Sequence, residues 1–357
     1  MKNQPCLDRR QLVGAAAGAI AAGALQKQAR AHGSSSSGPP VMVGSANALP
    51  GMEANWESVL AGGHPLDAAI ETVKIVEADP NDASVGLGGL PNEDGVMQLD
   101  AACMDGETHN SGAVGAIENI LHPCEVARLV MERTDHCQIF GEGAYRFARS
   151  HGHPHTELLT EKARRRWIRW KESMSDQDDR LPPPKEPEAE KHGSLPTRFE
   201  RHGTIHCSVL STRGQVACTT TTSGLAWKIP GRVGDSSIVG AGLYCDGEVG
   251  SAGSTGRGEA AILSCGSHSI IELLRQGKAP IDAGHEVLER IVRQTQRMAQ
   301  WQPSLLKADG RPAFNVHFYI LDLRGRWAGV GLSGHANFAV ADRDGGPRHE
   351  KIVPLLG

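Results

Sequence analysis

The chain has 357 residues, 39% of them hydrophobic and 22% charged, enough apolar material for one large domain or two ordinary ones. Its net charge is −4 and its aromatic content 4%, with no basic patch, which argues against a nucleic-acid partner. The 43 glycines mark a chain rich in tight turns and close backbone approaches.

Residues 1–31 read as an export signal. Lys2, Arg9 and Arg10 form a positive head, Leu12 to Leu25 is an apolar run too short to span a bilayer, and Ala29-Arg30-Ala31 is a small-x-small cleavage site. The Arg9-Arg10 pair resembles a twin-arginine signal, which implies export of a folded protein to the periplasm. Loss of this segment leaves 32 basic against 40 acidic residues, a balance of −8 that disfavours nucleic acid and anionic membrane. It also leaves seven cysteines, an odd number, so at least one thiol stays free or pairs between chains. No Cys-x-x-Cys spacing occurs, and no metal site is expected.

Ser34 to Pro40 reads as a leader and Val41 to Val43 as the first core strand. Apolar residues at helical spacing predict a helix over Pro65 to Glu77, stopped by Pro80. Leu99 to Met104 reads as a buried strand ending at the turn Asp105-Gly106, and Cys124 to Arg133 and Glu142 to Ser150 as helices. Residues 171–199 carry three consecutive prolines and dense charge with almost no apolar residues, the composition of a disordered linker. A hairpin follows, Thr204 to Leu210 and Gln215 to Thr222 around Arg213-Gly214. Gly224 to Gly258 reads as a glycine-dense loop, and Glu259 to Gln276 and Ile281 to Trp301 as long helices. A second hairpin, Phe314 to Leu323 and Trp327 to Leu332, precedes a closing strand over Asn337 to Ala341. This order suits helices outside two packed sheets.

Three stretches stand apart: His202-Gly203-Thr204-Ile205, the run Thr219 to Asp235, and Ser251 to Gly258. With GGLPNEDGVMQLDAACMDG upstream and ANFAV near the end, these strings resemble the N-terminal threonine hydrolases, the family of glycosylasparaginases and plant-type asparaginases. The resemblance runs from about Val41 to Ala341, the linker excepted. It implies an α+β fold, the four-layer αββα sandwich of N-terminal nucleophile hydrolases. It also implies a chain that cuts itself between Gly203 and Thr204, giving an α chain of residues 32–203 and a β chain of residues 204–357. By resemblance the assembly is a heterotetramer of two α and two β chains.

The chemistry explains the residue types. A threonine hydroxyl needs a base, and a free α-amine, with an ordinary pKa near 8, can serve if Thr204 becomes a chain start. Gly203 would let the hydroxyl approach the preceding carbonyl, and the linker would give slack to the new terminus. By resemblance Thr222 orients Thr204. Arg232 and Asp235, kept close by the glycines of Gly231 to Asp235, form an opposed pair for a free α-carboxylate and α-amine. Thr255 and Gly256, a hydroxyl and a backbone N–H before a helix, suit both substrate binding and oxyanion stabilisation.

The implied substrate is a small asparagine derivative, N4-(β-N-acetylglucosaminyl)-L-asparagine, hydrolysed through an acyl-enzyme on Thr204 without a cofactor. A plant-type L-asparaginase and β-aspartyl peptidase is the alternative within the enzyme class, and an exported, non-cleaving binding protein the alternative outside it. Two departures blur the substrate. Asn47 stands in the region where glycosylasparaginases carry a Trp, Trp56 belonging to the next helix, and Gly203 stands where many have Asp.

Overall fold

The computed structural model describes residues 38–175, 180 and 202–357. The export segment and most of the 171–199 linker lie outside the described residues. Among the described residues thirteen strands form two sheets. The eight-stranded sheet holds β1 (Val41–Ser45), β2 (Leu99–Asp105), β3 (Asn110–Ile117), β4 (Gln138–Phe140), β5 (His202–Leu210), β6 (Val216–Leu225), β11 (Asn337–Asp342) and β12 (Gly346–Lys351), in the order β12-β11-β1-β5-β6-β2-β3-β4. The five-stranded sheet holds β7 (Leu243–Asp246), β8 (Gly250–Gly256), β9 (Val316–Asp322), β10 (Trp327–Ser333) and β13 (Val353–Leu356), in the order β13-β10-β9-β8-β7.

The outer face of the larger sheet is covered by α1 (Leu49–Leu60), α2 (Pro65–Glu77), α3 (Pro123–Arg133) and α4 (Gly141–Ser150). The smaller sheet is covered by α7 (Gly266–Arg275) and α8 (Pro280–Met298), with the short α6 (Gly258–Ser264) at their edge. The result is the expected αββα sandwich. Among the described residues no helix is long and apolar enough to cross a membrane.

Period-two alternation builds the layers. Met42, Ala101, Cys103, Ile205, Cys207 and Val209 point to the helices, while Val41, Val43, Met104, Leu210 and Val216 point to the other sheet and meet Leu243, Leu321, Trp327 and Phe338. Each large apolar side chain so buried contributes about 1.5–3 kcal/mol. One seam between the sheets is polar instead: His206, Ser208, Thr220 and Ser251 are all buried there.

Several expectations need correction. The glycine-dense loop holds β7 and β8, because its glycines sit where backbones touch: a Cβ on Gly250 would collide with the Leu321 carbonyl, and one on Gly253 with the His206 ring. The single helix over 259–276 is broken at Cys265, whose φ is 45°. Ser264 turns its hydroxyl back onto the Ala260 carbonyl at 2.8 Å, and Gly266 packs against Phe318. β11 does not close its sheet, since β12 pairs outside it. Finally, α5 (Glu161–Glu172) is a helix the sequence does not predict, reaching only the first residues of the 171–199 stretch; it is capped by the Thr160 hydroxyl, which accepts from Ala163 N at 3.2 Å. Trp170 of α5 stacks on Trp227 at 5.2 Å, and Trp167 Nε1 donates to the Glu93 carbonyl at 3.1 Å.

Candidate active site

The β5–β6 hairpin pairs residue by residue from Leu210↔Val216 to Ile205↔Thr221, then shifts register, with Gly203 opposite Gly224. The irregularity sets two residues of β6, Thr222 and Ser223, across from Thr204, and such bulges re-aim side chains. Both threonine hydroxyls converge on the peptide bond before Thr204. Thr204 Oγ1 donates to the Gly203 carbonyl at 2.8 Å, and Thr222 Oγ1 also donates to that carbonyl. The two hydroxyls lie 3.3 Å apart, and Thr222 Oγ1 accepts from Gly224 N at 2.8 Å. Thr222 is thereby held as a donor toward Gly203.

Gly203 is required by space. A Cβ there would collide with Ser84. Ser84 in turn donates to Asp82, which also accepts from Asn47 Nδ2 at 3.2 Å. Asn47 Oδ1 accepts from Ser45 Oγ at 2.7 Å, and Ser45 Oγ accepts from His206 N at 3.0 Å. Asn47 thus belongs to a network behind the Gly203–Thr204 bond and does not line the cavity in front of it. Trp56 sits in α1 within the helix–sheet core. Asp82 and Ser84 escaped the sequence reading, as they lie some 120 residues upstream (Ser84 and Ser223 differ by 139 in sequence) and no local pattern joins them to Gly203.

In front of the bond lies a recess with about 330 Å³ of empty space, open solvent included. Its walls include Gly203, Thr204, Thr222, Arg232, Asp235, Gly256 and Glu259. The loop bearing Arg232 and Asp235 is pinned to the start of β2: Gly231 N donates to Gln98 Oε1 at 2.9 Å, Gly234 N to Asp100 Oδ2 at 3.1 Å, and Lys228 Nζ to the Gln98 carbonyl at 2.8 Å. Burial pushes the Lys228 ammonium down, against the pull of Asp100.

Arg232 and Asp235 do face one recess, but they do not pair with each other. Arg232 Nη2 and Nε donate to Glu259 Oε1 at 2.7 and 3.2 Å, leaving Nη1 outside that ion pair. Burial pushes the Glu259 carboxyl up, but the charge of Arg232 outweighs it and holds the group below its ordinary range. Asp235 accepts from Ser254 Oγ at 2.6 Å, and burial lifts its pKa to about 6. From the sequence Glu259 reads only as a helix residue. The one available signal was its place in the first turn of a helix that starts beside the Thr255-Gly256 pair.

Gly256 lines the recess, and the hydroxyl of Thr255 just before it bonds Tyr319 Oη at 2.7 Å. Gly256 has φ 108°, and a Cβ there would collide with the Asn315 carbonyl, so the glycine is required on both counts. Among the described residues no group of three or more His, Cys, Asp or Glu side chains is arranged to hold a metal ion.

A family model described as asparaginase matches residues 45–300. The chain is 37% identical over 298 residues to an N(4)-(β-N-acetylglucosaminyl)-L-asparaginase of Elizabethkingia miricola, covering 83% of this chain and 80% of that one. A mouse protein of the same description is 36% identical over 253 residues, covering 67% of this chain and 73% of its own. An isoaspartyl peptidase/L-asparaginase of Xenopus laevis is 37% identical over 231 residues, covering 64% and 69%.

Proposed function

The chain belongs to the asparaginase family of amidohydrolases, and from that premise we propose that it cleaves itself before Thr204 and hydrolyses N4-(β-N-acetylglucosaminyl)-L-asparagine. The observation that carries this reading is the convergence of the Thr204 and Thr222 hydroxyls on the Gly203 carbonyl.

In the first stage Thr204 Oγ attacks the Gly203 carbonyl carbon, with Thr222 donating to the developing oxyanion. The C–N bond breaks as nitrogen takes the hydroxyl proton, and an ester remains. Water hydrolyses that ester, leaving a carboxylate on Gly203 and a free amine and hydroxyl on Thr204. In the second stage the amine accepts the hydroxyl proton, and Oγ attacks the substrate's side-chain carbonyl. The leaving amine departs with a proton, and water releases aspartate from the acyl-enzyme. Arg232 receives the substrate α-carboxylate and Asp235 its ammonium, while Thr255 and Gly256 serve the oxyanion. At neutral pH a pKa near 6 keeps Asp235 ionised for that contact.

The resemblance of the first residues to a twin-arginine signal supports export to the periplasm, and the family resemblance supports an assembly of two α and two β chains. A second reading, L-asparagine or β-aspartyl peptide hydrolysis, is favoured by Gly203 before the cut and Asn47 behind it, and by the similarity to the Xenopus protein. A substrate panel separates the two. The glycosylated asparagine should give the highest kcat/KM; a higher value for asparagine or a β-aspartyl dipeptide would overturn the first reading.

A further inference from the structure

Between the sheets, behind the recess, lies a column of buried polar groups that self-cleavage and hydrolysis leave unused. His206 is fully buried, and both ring nitrogens are occupied by hydroxyls, Nδ1 by Thr220 Oγ1 at 2.7 Å and Nε2 by Ser208 Oγ at 2.8 Å. Ser208 Oγ continues to Ser251 Oγ at 2.7 Å. Gly253 on β8 provides the room for the ring. The imidazole lies nearly parallel to the Tyr319 ring, centroids 6.1 Å apart and planes 10° apart, and Phe338 borders Tyr319 at 6.4 Å. Held by these neighbours, Tyr319 sends its hydroxyl to Thr255 Oγ1, 2.7 Å away.

The direction of that hydrogen bond follows from proton counting. Each hydroxyl has one proton, and only one proton can lie between the two oxygens. If Thr255 donated, the Tyr319 proton would be left without an acceptor on a residue only 3% exposed, and an unpartnered buried donor is costly. If Tyr319 donates, the spare proton belongs to Thr255, which is 9% exposed and directly precedes the recess-lining Gly256. The second arrangement places the unpartnered proton on the more exposed residue of the pair. It also leaves the Thr255 hydroxyl as a donor with its proton free for a ligand.

We infer that Tyr319, braced on His206, is a positioning residue that orients the Thr255 hydroxyl as a hydrogen-bond donor to the transition-state oxyanion. The inference rests on the proposed role of Thr255 in the reaction. Without the phenol, Thr255 can rotate or donate elsewhere, and the transition state loses part of one hydrogen bond while the ground state loses little. That pattern lowers kcat and spares KM.

The test is a double-mutant cycle on the self-cleaved protein with Tyr319→Phe and Thr255→Ala. Tyr319→Phe keeps the ring and its stack on His206, so the melting temperature should stay close to that of the parent. It should lower kcat about tenfold, the equivalent of about 1.4 kcal/mol, with KM within about twofold. On the Thr255→Ala background it should lower kcat no further, since Tyr319 acts through Thr255. An unchanged kcat, a loss confined to KM, or the same loss on both backgrounds would overturn the inference. A parent protein that neither cuts itself nor hydrolyses an asparagine amide would instead remove the reading beneath it.

Discussion

The β5–β6 hairpin is one structure with two chemically opposite ends. At its turn, Leu210 and Val216 pair and pack into the inter-sheet core, and the Ser211 hydroxyl accepts from Arg213 N and Gln215 N, each at 3.2 Å. The Ser211 hydroxyl there serves the turn's own backbone. At the open end, Thr204 and Thr222 are buried too, yet both hydroxyls donate to the backbone carbonyl of Gly203. Buried hydroxyls must be partnered, and a fold has cheaper ways to fill such positions with Val or Ile. The contrast marks the open end as built for chemistry and the turn end as built for stability.

The comparison breaks most sharply at Thr204. Thr204→Ala keeps the strand but removes the attacking oxygen, so a denaturing gel should show one uncut chain and assays no hydrolysis. Two fragments from that variant would sink the mechanism. Next in size is Thr222→Val, which keeps the shape and loses the donor to Gly203. Self-cleavage should slow by roughly 10²–10³, as followed by the disappearance of the full-length band; an unchanged rate would free Thr222 of its role. The matching change at the other end, Leu210→Ala, should cost about 2–5 kcal/mol in denaturant unfolding and leave kcat and KM of the cut protein as they were.

Arg232→Lys comes third. Lysine keeps the charge but not the planar fork, part of which is already committed to Glu259. KM should rise about tenfold, equivalent to about 1.4 kcal/mol of lost binding; an unchanged KM would take Arg232 out of the substrate site.

The smallest expected effect concerns Asp235. Its folded pKa, about 6, lies above the ordinary 3.8. Ionisation therefore costs the folded state more than the unfolded one, so this group's contribution to stability falls as pH rises from about 4 to about 6 and stays low above. Asp235→Asn should raise the melting temperature at pH 7 by a few degrees, at roughly 2–4 °C per kcal/mol, while weakening substrate binding. In the parent, kcat/KM should decline as pH falls through about 6, because the carboxylate that meets the substrate ammonium is lost. A lower melting temperature for the variant, or a flat profile, would count against the assignment.

Much of this was legible in the sequence where pattern and chemistry coincide. Alternation exposed β5 and β6, helical spacing exposed α2, and the Gly203-Thr204 and Gly231-to-Asp235 strings brought the recess walls together. What stayed hidden depends on distance in sequence or on glycine's double meaning. The glycines of β7 and β8 read as loop because sequence shows flexibility and not the close backbone contact that demands them, as with Gly250 against Leu321. The Ser84–Gly203 and His206–Tyr319 contacts join residues from separate strands and loops, which no local window can reveal. α5 was missed because its charged face dominates its composition, although Glu161 with Arg164 and Arg165 at helical spacing was a signal that could have found it.

The most direct test is the intact mass and N-terminal sequence of the purified parent after prolonged incubation. Two chains are expected, the second beginning Thr204-Ile205-His206, their masses together exceeding the uncut protein by one water. A single chain, or a second fragment beginning at any other residue, would contradict self-cleavage before Thr204.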